Sequence, residues 1–275
     1  MTANHWLLLW RVETRKLLSR NLGRVGLLVA LLPFLFMPLT LHSFGASEMT
    51  VNGTPMGEMY SATAPEGLSW SVWTRNFWLI RLFIVALAAQ SLAGELVQGT
   101  LRDDLMQPVR RGAVVAAKWA ALVTWDIIAM SLGVLLGAGL GMGLFGTSDA
   151  WTDPLLAAGV SILCDAAIAA LALAAATLTR SVAMTLVAVL LALLLDFMTG
   201  IALTVAAMVA EVADVPLLLE STLQLRPWLP SSAFNAWSSF GGTDPILWQS
   251  YASLALITGG CLAVAVVRFS RTDVH

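Results

Sequence analysis

Charge is what this chain has least of. Only 12% of its 275 residues are charged, against about 25% in soluble globular domains. That excludes a water-covered surface of ordinary composition. Cysteine is scarce as well. Cys164 and Cys261 both sit in apolar segments, without metal-ligand spacing and with nothing to suggest a disulfide framework. The histidines His5, His42 and His275 are scattered. There is no Ser-His-Asp set, no His-Glu-x-x-His and no metal-spaced cluster, so soluble-type catalysis and a resident metal are not expected. A phosphate-binding loop is also missing. It needs a glycine directly before its lysine, and neither Lys16 nor Lys118 follows one. No cleavable signal peptide is expected, because a long basic stretch precedes the first apolar run and no small-residue cleavage site follows it.

What is present is apolar length. Hydrophobic residues make up 58% of the chain, and a membrane-crossing helix needs about 20 of them in a row. Six segments qualify: Val25 to Phe44, Asn76 to Gly94, Ala113 to Leu144, Pro154 to Leu178, Val182 to Val209 and Ile246 to Val267. The expected fold is an all-α polytopic membrane protein, a single transmembrane domain over 1–275. The third and fifth segments are long enough to tilt or to extend into water. Pro33 and Pro38 predict a kink in the first.

Basic residues set the expected topology. Arg11, Arg15, Lys16, Arg20 and Arg24 precede the first span. Arg102, Arg110, Arg111 and Lys118 lie between the second and third, Arg180 between the fourth and fifth, and Arg268 and Arg271 after the sixth. Only Arg75 and Arg226 fall on the other side, with Arg81 inside a span. The positive-inside rule then places both termini in the cytoplasm, and an even number of spans agrees. The outer connections are acidic. The first, 45–75, reads as irregular and holds a weak glycosylation sequon at Asn52. The second, 210–245, contains apolar pieces too short to span, broken by Pro216, Pro227 and Pro230, with Trp228 and Trp237 suited to an interface. Two readings stand for it: short helices dipping into the outer leaflet, or a folded loop outside.

Residues 5–21 form an amphipathic helix at about 100° per residue. Trp6, Trp10, Leu17 and Leu18 fall on one side, Arg11 and Arg15 on the other. This favours a helix along the cytoplasmic membrane surface over a plain extension of the first span, and Asn21 and Gly23 offer a break.

The polar connection over 95–112 is the most informative stretch. Gly99 permits a turn out of the second span. Thr100 and Asp103 have capping-box spacing. Leu101 and Leu105 share a helical face, and Pro108 ends the piece. Arg110 and Arg111 sit at headgroup level, and Lys118 is expected to snorkel back to it. The offsets Glu95, Gly99-Thr100-Leu101, Pro108-Val109-Arg110-Arg111 and Lys118 resemble the membrane subunits of ABC-2-type exporters. The six-span layout, the basic start with Glu13 and Lys16, and the ending from Phe269 to Asp273 extend the resemblance over most of the chain. Leu96, Val97 and Ala117 depart from the usual pattern.

The resemblance implies a permease subunit of an ATP-driven exporter in a bacterial inner membrane. It implies two cytosolic ABC ATPase subunits that bind ATP and Mg, and a second permease copy, giving a homodimer. It implies that Glu95, Gly99, Thr100, Leu101, Leu105, Pro108 and Arg111 belong to an ATPase-coupling segment. The helix with Trp6, Trp10, Arg11 and Arg15 becomes the connecting helix, and short helices before the sixth span close the outer end. Membrane lipid is a further partner, nucleic acid is not, and a periplasmic or envelope protein is allowed.

Asp126, Asp165 and Asp196 lie deep in the third, fourth and fifth spans, where an ionised carboxylate costs several kcal/mol unless paired or wet. Arg81 is placed to pair with Asp196 or Asp126, or to snorkel. These residues read either as polar lining of a substrate path or as interhelical hydrogen bonds. Gly133, Gly137 and Gly141 recur at four-residue spacing, which permits close helix approach or a dimer seam. Two other functions remain open: a proton-coupled secondary transporter using the buried aspartates, and an ATP-driven transmitter of motion to an envelope partner.

Overall fold

In the computed structural model the described residues are 3–45, 50–51, 54–55, 63–76, 79–99, 110–146, 148–213, 215–235 and 248–271. They are nearly all helical. In chain order the helices are α1 (Ala3–Ser19), α2 (Asn21–Gly45), α3 (Ala64–Asn76), α4 (Leu79–Ala89) and, after a π-helical turn (Gln90–Gly94), α5 (Glu95–Gln98). Then come α6 (Arg111–Phe145), α7 (Thr152–Thr179), α8 (Val182–Val212), α9 (Pro216–Leu225), a 3-10 turn (Arg226–Trp228), α10 (Pro230–Phe234) and α11 (Trp248–Ser270). A two-residue antiparallel pair, Thr50–Val51 with Thr54–Pro55, precedes α3. Six helices are long and apolar enough to cross a membrane: α2, Ile80–Gln98, α6, α7, α8 and α11. Each falls within a few residues of an expected span, and α2 continues through Pro33 and Pro38.

The helices α6 and α7 form the spine. α6 packs against α1, α2, α3, α7 and α11, and α7 against α3, α4, α8, α10 and α11. The sequence of α7 explains its place. Ala166, Ala167, Ala169, Ala170, Ala172 and Ala176 are all buried, and small side chains let neighbouring helices approach closely where lipid supplies no hydrophobic drive. α8 is the opposite case, rich in Leu, Val and Met and exposed along most of its length.

The glycine stripe on α6 packs helices closely. A Cβ on Gly133 would stand 2.5 Å from the Phe34 ring of α2, and one on Gly141 would stand 3.2 Å from Ala64 of α3. Gly133→Ala is therefore expected to lower thermal stability by about 1–3 kcal/mol through overpacking. Gly139→Ala meets nothing within 4 Å and is expected not to destabilise. Equal melting of the two variants in detergent would contradict this packing.

One end of the bundle gathers the starts and finishes of the spans. Arg111 at the foot of α6 donates to the carbonyl of Ser270 at the end of α11 (3.3 Å). A Cβ on Gly94 would lie 3.7 Å from Val182, where α8 begins. α1 lies across the same end and ties to α6 through Trp10 Nε1, which donates to Thr124 Oγ1 (3.0 Å). The turn from α1 into α2 is tight: a Cβ on Gly23 would meet the Leu17 carbonyl at 2.0 Å, so glycine is required there. Trp6 and Trp10 stack at 6.4 Å. Leu17 is buried in protein, however, and the exposed apolar residues of α1 are Leu7, Leu8 and Val12. The expected apolar face is thus partly a protein contact.

The far end corrects one expectation and resolves another. The first connection, read as irregular over 45–75, contains α3, which runs inward between α2, α6 and α7. Gly67 fits against Pro38 and Phe145, and Leu68 reaches the Gly137 position. Protein covers one face of α3, while Trp70 and Trp73 remain exposed on the other, so it needs no continuous apolar run. In the second connection, Ala233 of α10 is buried, and its carbonyl accepts the Cys164 thiol (3.3 Å). Cys164 is about 18 Å along α7 from Thr152 at 1.5 Å per residue. α10 therefore dips into the bundle.

Candidate functional site: two buried ionic clusters

The first cluster lies at the basic end, where the polar connection leaves α5. The π-helical turn Gln90–Gly94 inserts a residue into the helical repeat, and each residue rotates the face presented by about 100°. Glu95 follows directly and is buried. Its Oε2 accepts from Lys118 Nζ at 2.5 Å, and its Oε1 from Arg20 Nη2 at 2.6 Å. Lys118 also donates to Glu13 Oε2 at 2.8 Å, and Lys16 to Glu13 Oε1 at 3.1 Å. Three helices and the α1–α2 turn are thus pinned on one ammonium. Lys118 is only 1% exposed, which corrects the expectation that it snorkels. Two carboxylates hold it inside, and its charge is neutralised there rather than in water.

Gly99 closes α5 in the left-handed region (φ +71°), with its N–H on the Leu96 carbonyl at 3.3 Å. The expected turn out of the span is therefore in place. Thr100, Leu101, Leu105 and Pro108 lie outside the described residues. Arg111 is half-buried at the foot of α6, and Arg11 and Arg15 are exposed on α1. Glu13 was noted in the sequence only beside Lys16. Its partner Lys118 is 105 residues away, too far for spacing to connect them.

The second cluster lies inside the bundle. Arg75, at the inner end of α3, is 0% exposed. Its Nη1 donates to Asp165 Oδ2 and to Asn76 Oδ1, both at 2.9 Å, and its Nη2 pairs with Asp126. Asn76 Nδ2 donates to Ser161 Oγ at 2.6 Å. Arg81 stands 3.7 Å from Asp165 and donates to Asn235 Oδ1 at 3.2 Å. Asp165 is about 20 Å from either end of α7 at 1.5 Å per residue. The assignment of Arg75 to the outer aqueous side is thereby corrected, and Arg81 has an ion pair with Asp165. The two aspartates are brought together. Asp196 is half-buried on α8 and is not among the ion-pair partners of Arg75.

Neither cluster carries a nucleophile with its base, and no group of residues able to hold a metal occurs among the described residues. What both can do is fix helices against one another through charge. Residues 21–274 match the family described as ABC-2 family transporter protein. No curated protein matches the chain.

Proposed function

We infer the role from one premise: the chain belongs to the ABC-2 transporter family, as a multi-pass permease component that is not itself catalytic. Permeases of this family work with ATPase subunits. In our reading the basic end faces the cytoplasm of a bacterial inner membrane. Two cytosolic ATPases, which hold ATP and magnesium, dock on the connection that begins at Gly99. A second copy of the chain completes the pathway, and substrate moves outward from the cytoplasm or the inner leaflet.

The observation that carries this reading is the Glu13–Lys118–Glu95–Arg20 cluster. It joins the foot of the ATPase-facing connection to α1, the α1–α2 turn and α6. Charge-assisted bonds in a buried site resist separation, so a push on the connection moves these helices together. Asp126 and Asp165, the residues a proton-coupled transporter would use, are both engaged by Arg75.

Co-purification tests the docking assignment. Leu101→Asp and Gly99→Val are expected to cut the amount of bound ATPase at least about tenfold, equivalent to about 1.4 kcal/mol. Valine at φ +71° is strained by its branched Cβ, while nothing else crowds the site. Undiminished ATPase binding in both folded variants would remove the connection as the docking site.

A further inference from the structure

The two far-end connections meet on one stretch of α7. Arg75 at the end of α3 comes from the first, and Asn235 and Ala233 come from the second. Asp165 takes Arg75 at 2.9 Å and has Arg81 at 3.7 Å, while Arg81 reaches Asn235. One residue earlier, Cys164 holds the Ala233 carbonyl. We propose that Arg75 is the positioning residue of an outer gate: it latches α3 across the middle of the permease, and the outer side opens when Arg75 parts from Asp126 and Asp165. The biological meaning of the latch rests on the permease reading, but its measurement does not.

Two features of the geometry fit a latch better than a permanent rivet. The outer part of α3 rests on small, apolar surfaces, with Ala64 against Gly141 and Gly67 against Pro38. Such surfaces separate or slide without leaving polar groups unpaired. Its polar ties to α6 and α7 come from Arg75 and Asn76 at the inner tip. The second feature is incomplete satisfaction. Asp126 Oδ2, Asp165 Oδ1 and Arg75 Nε are buried without a hydrogen-bond partner among the described residues. A buried charged group left short of partners is costly. Opening to the outer side hydrates these atoms, which offsets the ion pairs given up. The closed state is held firmly, and yet its alternative is not prohibitive.

Cys164 is a built-in reporter. Its side chain is fully buried, next to Asp165 and under Ala233. The full chain carrying Cys261→Ser is placed in vesicles with its far end facing the medium, and a membrane-impermeant maleimide is added. Labelling of Cys164 is expected to be slow in this parent and at least about tenfold faster in Arg75→Gln, a factor worth about 1.4 kcal/mol in the opening equilibrium. Arg75→Lys keeps one charge and is expected to fall between. An unchanged rate in Arg75→Gln overturns the latch.

A second variant separates opening from unfolding. Ala64→Cys with Gly141→Cys places two Cβ atoms about 3.2 Å apart, near the range of about 3.5–4.5 Å that a disulfide takes. In the Arg75→Gln background this bond tethers α3 to α6. Labelling of Cys164 itself, read by peptide mapping apart from positions 64 and 141, is expected to drop to the parent rate while the bond is closed and to rise again on reduction. Labelling that ignores the bond means general unfolding or another route of access, and it also overturns the proposal. The assay uses neither ATPase nor substrate, so it separates failure of the latch from failure of the permease reading.

Discussion

Lys118→Met is expected to lower the stability of the purified chain by about 3–5 kcal/mol, the usual cost of breaking a buried pair by removing one partner. Methionine keeps most of the lysine stem's volume, so packing changes little. What disappears is the one ammonium between Glu13 and Glu95, whose contacts are 2.8 Å and 2.5 Å. The remaining cations, Arg20 and Lys16, are partly exposed and sit at the rim. Lys16 holds Glu13 and Arg20 holds Glu95. Lys118→Arg is expected to lose less, although a planar guanidinium does not fit a pocket built for a point charge. Thermal unfolding in detergent measures the difference. If an ATPase docks on this connection as proposed, ATPase activity of the complex is expected to fall with it, because the tie to α1 is gone. A Lys118→Met chain that melts with the wild type would show that the cluster is not a structural unit.

Arg75→Met is the second large effect, and it is larger in kind, because two carboxylates lose their shared partner inside the membrane. An ionised aspartate at the centre of a span costs about 2.5–3.5 kcal/mol even on the lenient insertion scale, and here there are two, Asp126 and Asp165. We expect poor yield and early unfolding. Neutralising the whole group tests the cause. The triple variant Arg75→Met, Asp126→Asn, Asp165→Asn is expected to recover most of the lost stability, since apolar or neutral replacements of a buried ionic group are often tolerated. Recovery would assign the damage to stranded charge. A triple variant no more stable than Arg75→Met would assign it to the shape of the arginine instead, and the electrostatic account of this cluster would be wrong.

The six spans were legible because hydropathy reports length and little else. The polar break after the second span was legible because Glu95, Gly99 and Lys118 stand between two apolar runs. What those residues do to one another was not. Glu95 and Lys118 are 23 residues apart, and only the hairpin of the second and third spans brings them face to face. α3 was illegible for a different reason. Its sequence, APEGLSWSVWTRN, is neither apolar enough for a span nor amphipathic enough for a surface helix. It is a helix because α2 and α6 offer it a groove lined by glycine and proline. Arg75 was misplaced as a consequence, since a charge outside every apolar run counts as a charge in water. The π-helical turn before Glu95 has no sequence signature that periodicity detects.

The separation of Arg75 from its partners also bears on how the chain is made. Asp126 follows it by 51 residues and Asp165 by 90. At about 5–20 residues per second of synthesis, Arg75 waits on the order of 5–20 s before both carboxylates exist. During that time nothing in the chain offsets its cost in hydrocarbon. Docking of Arg75 between α6 and α7 is therefore expected only after the fourth span has been made. The same holds for α1, whose Glu13 must outlast about a hundred residues of synthesis before Lys118 emerges. The order of synthesis thus sets which ion pairs can close early and which must wait for later spans.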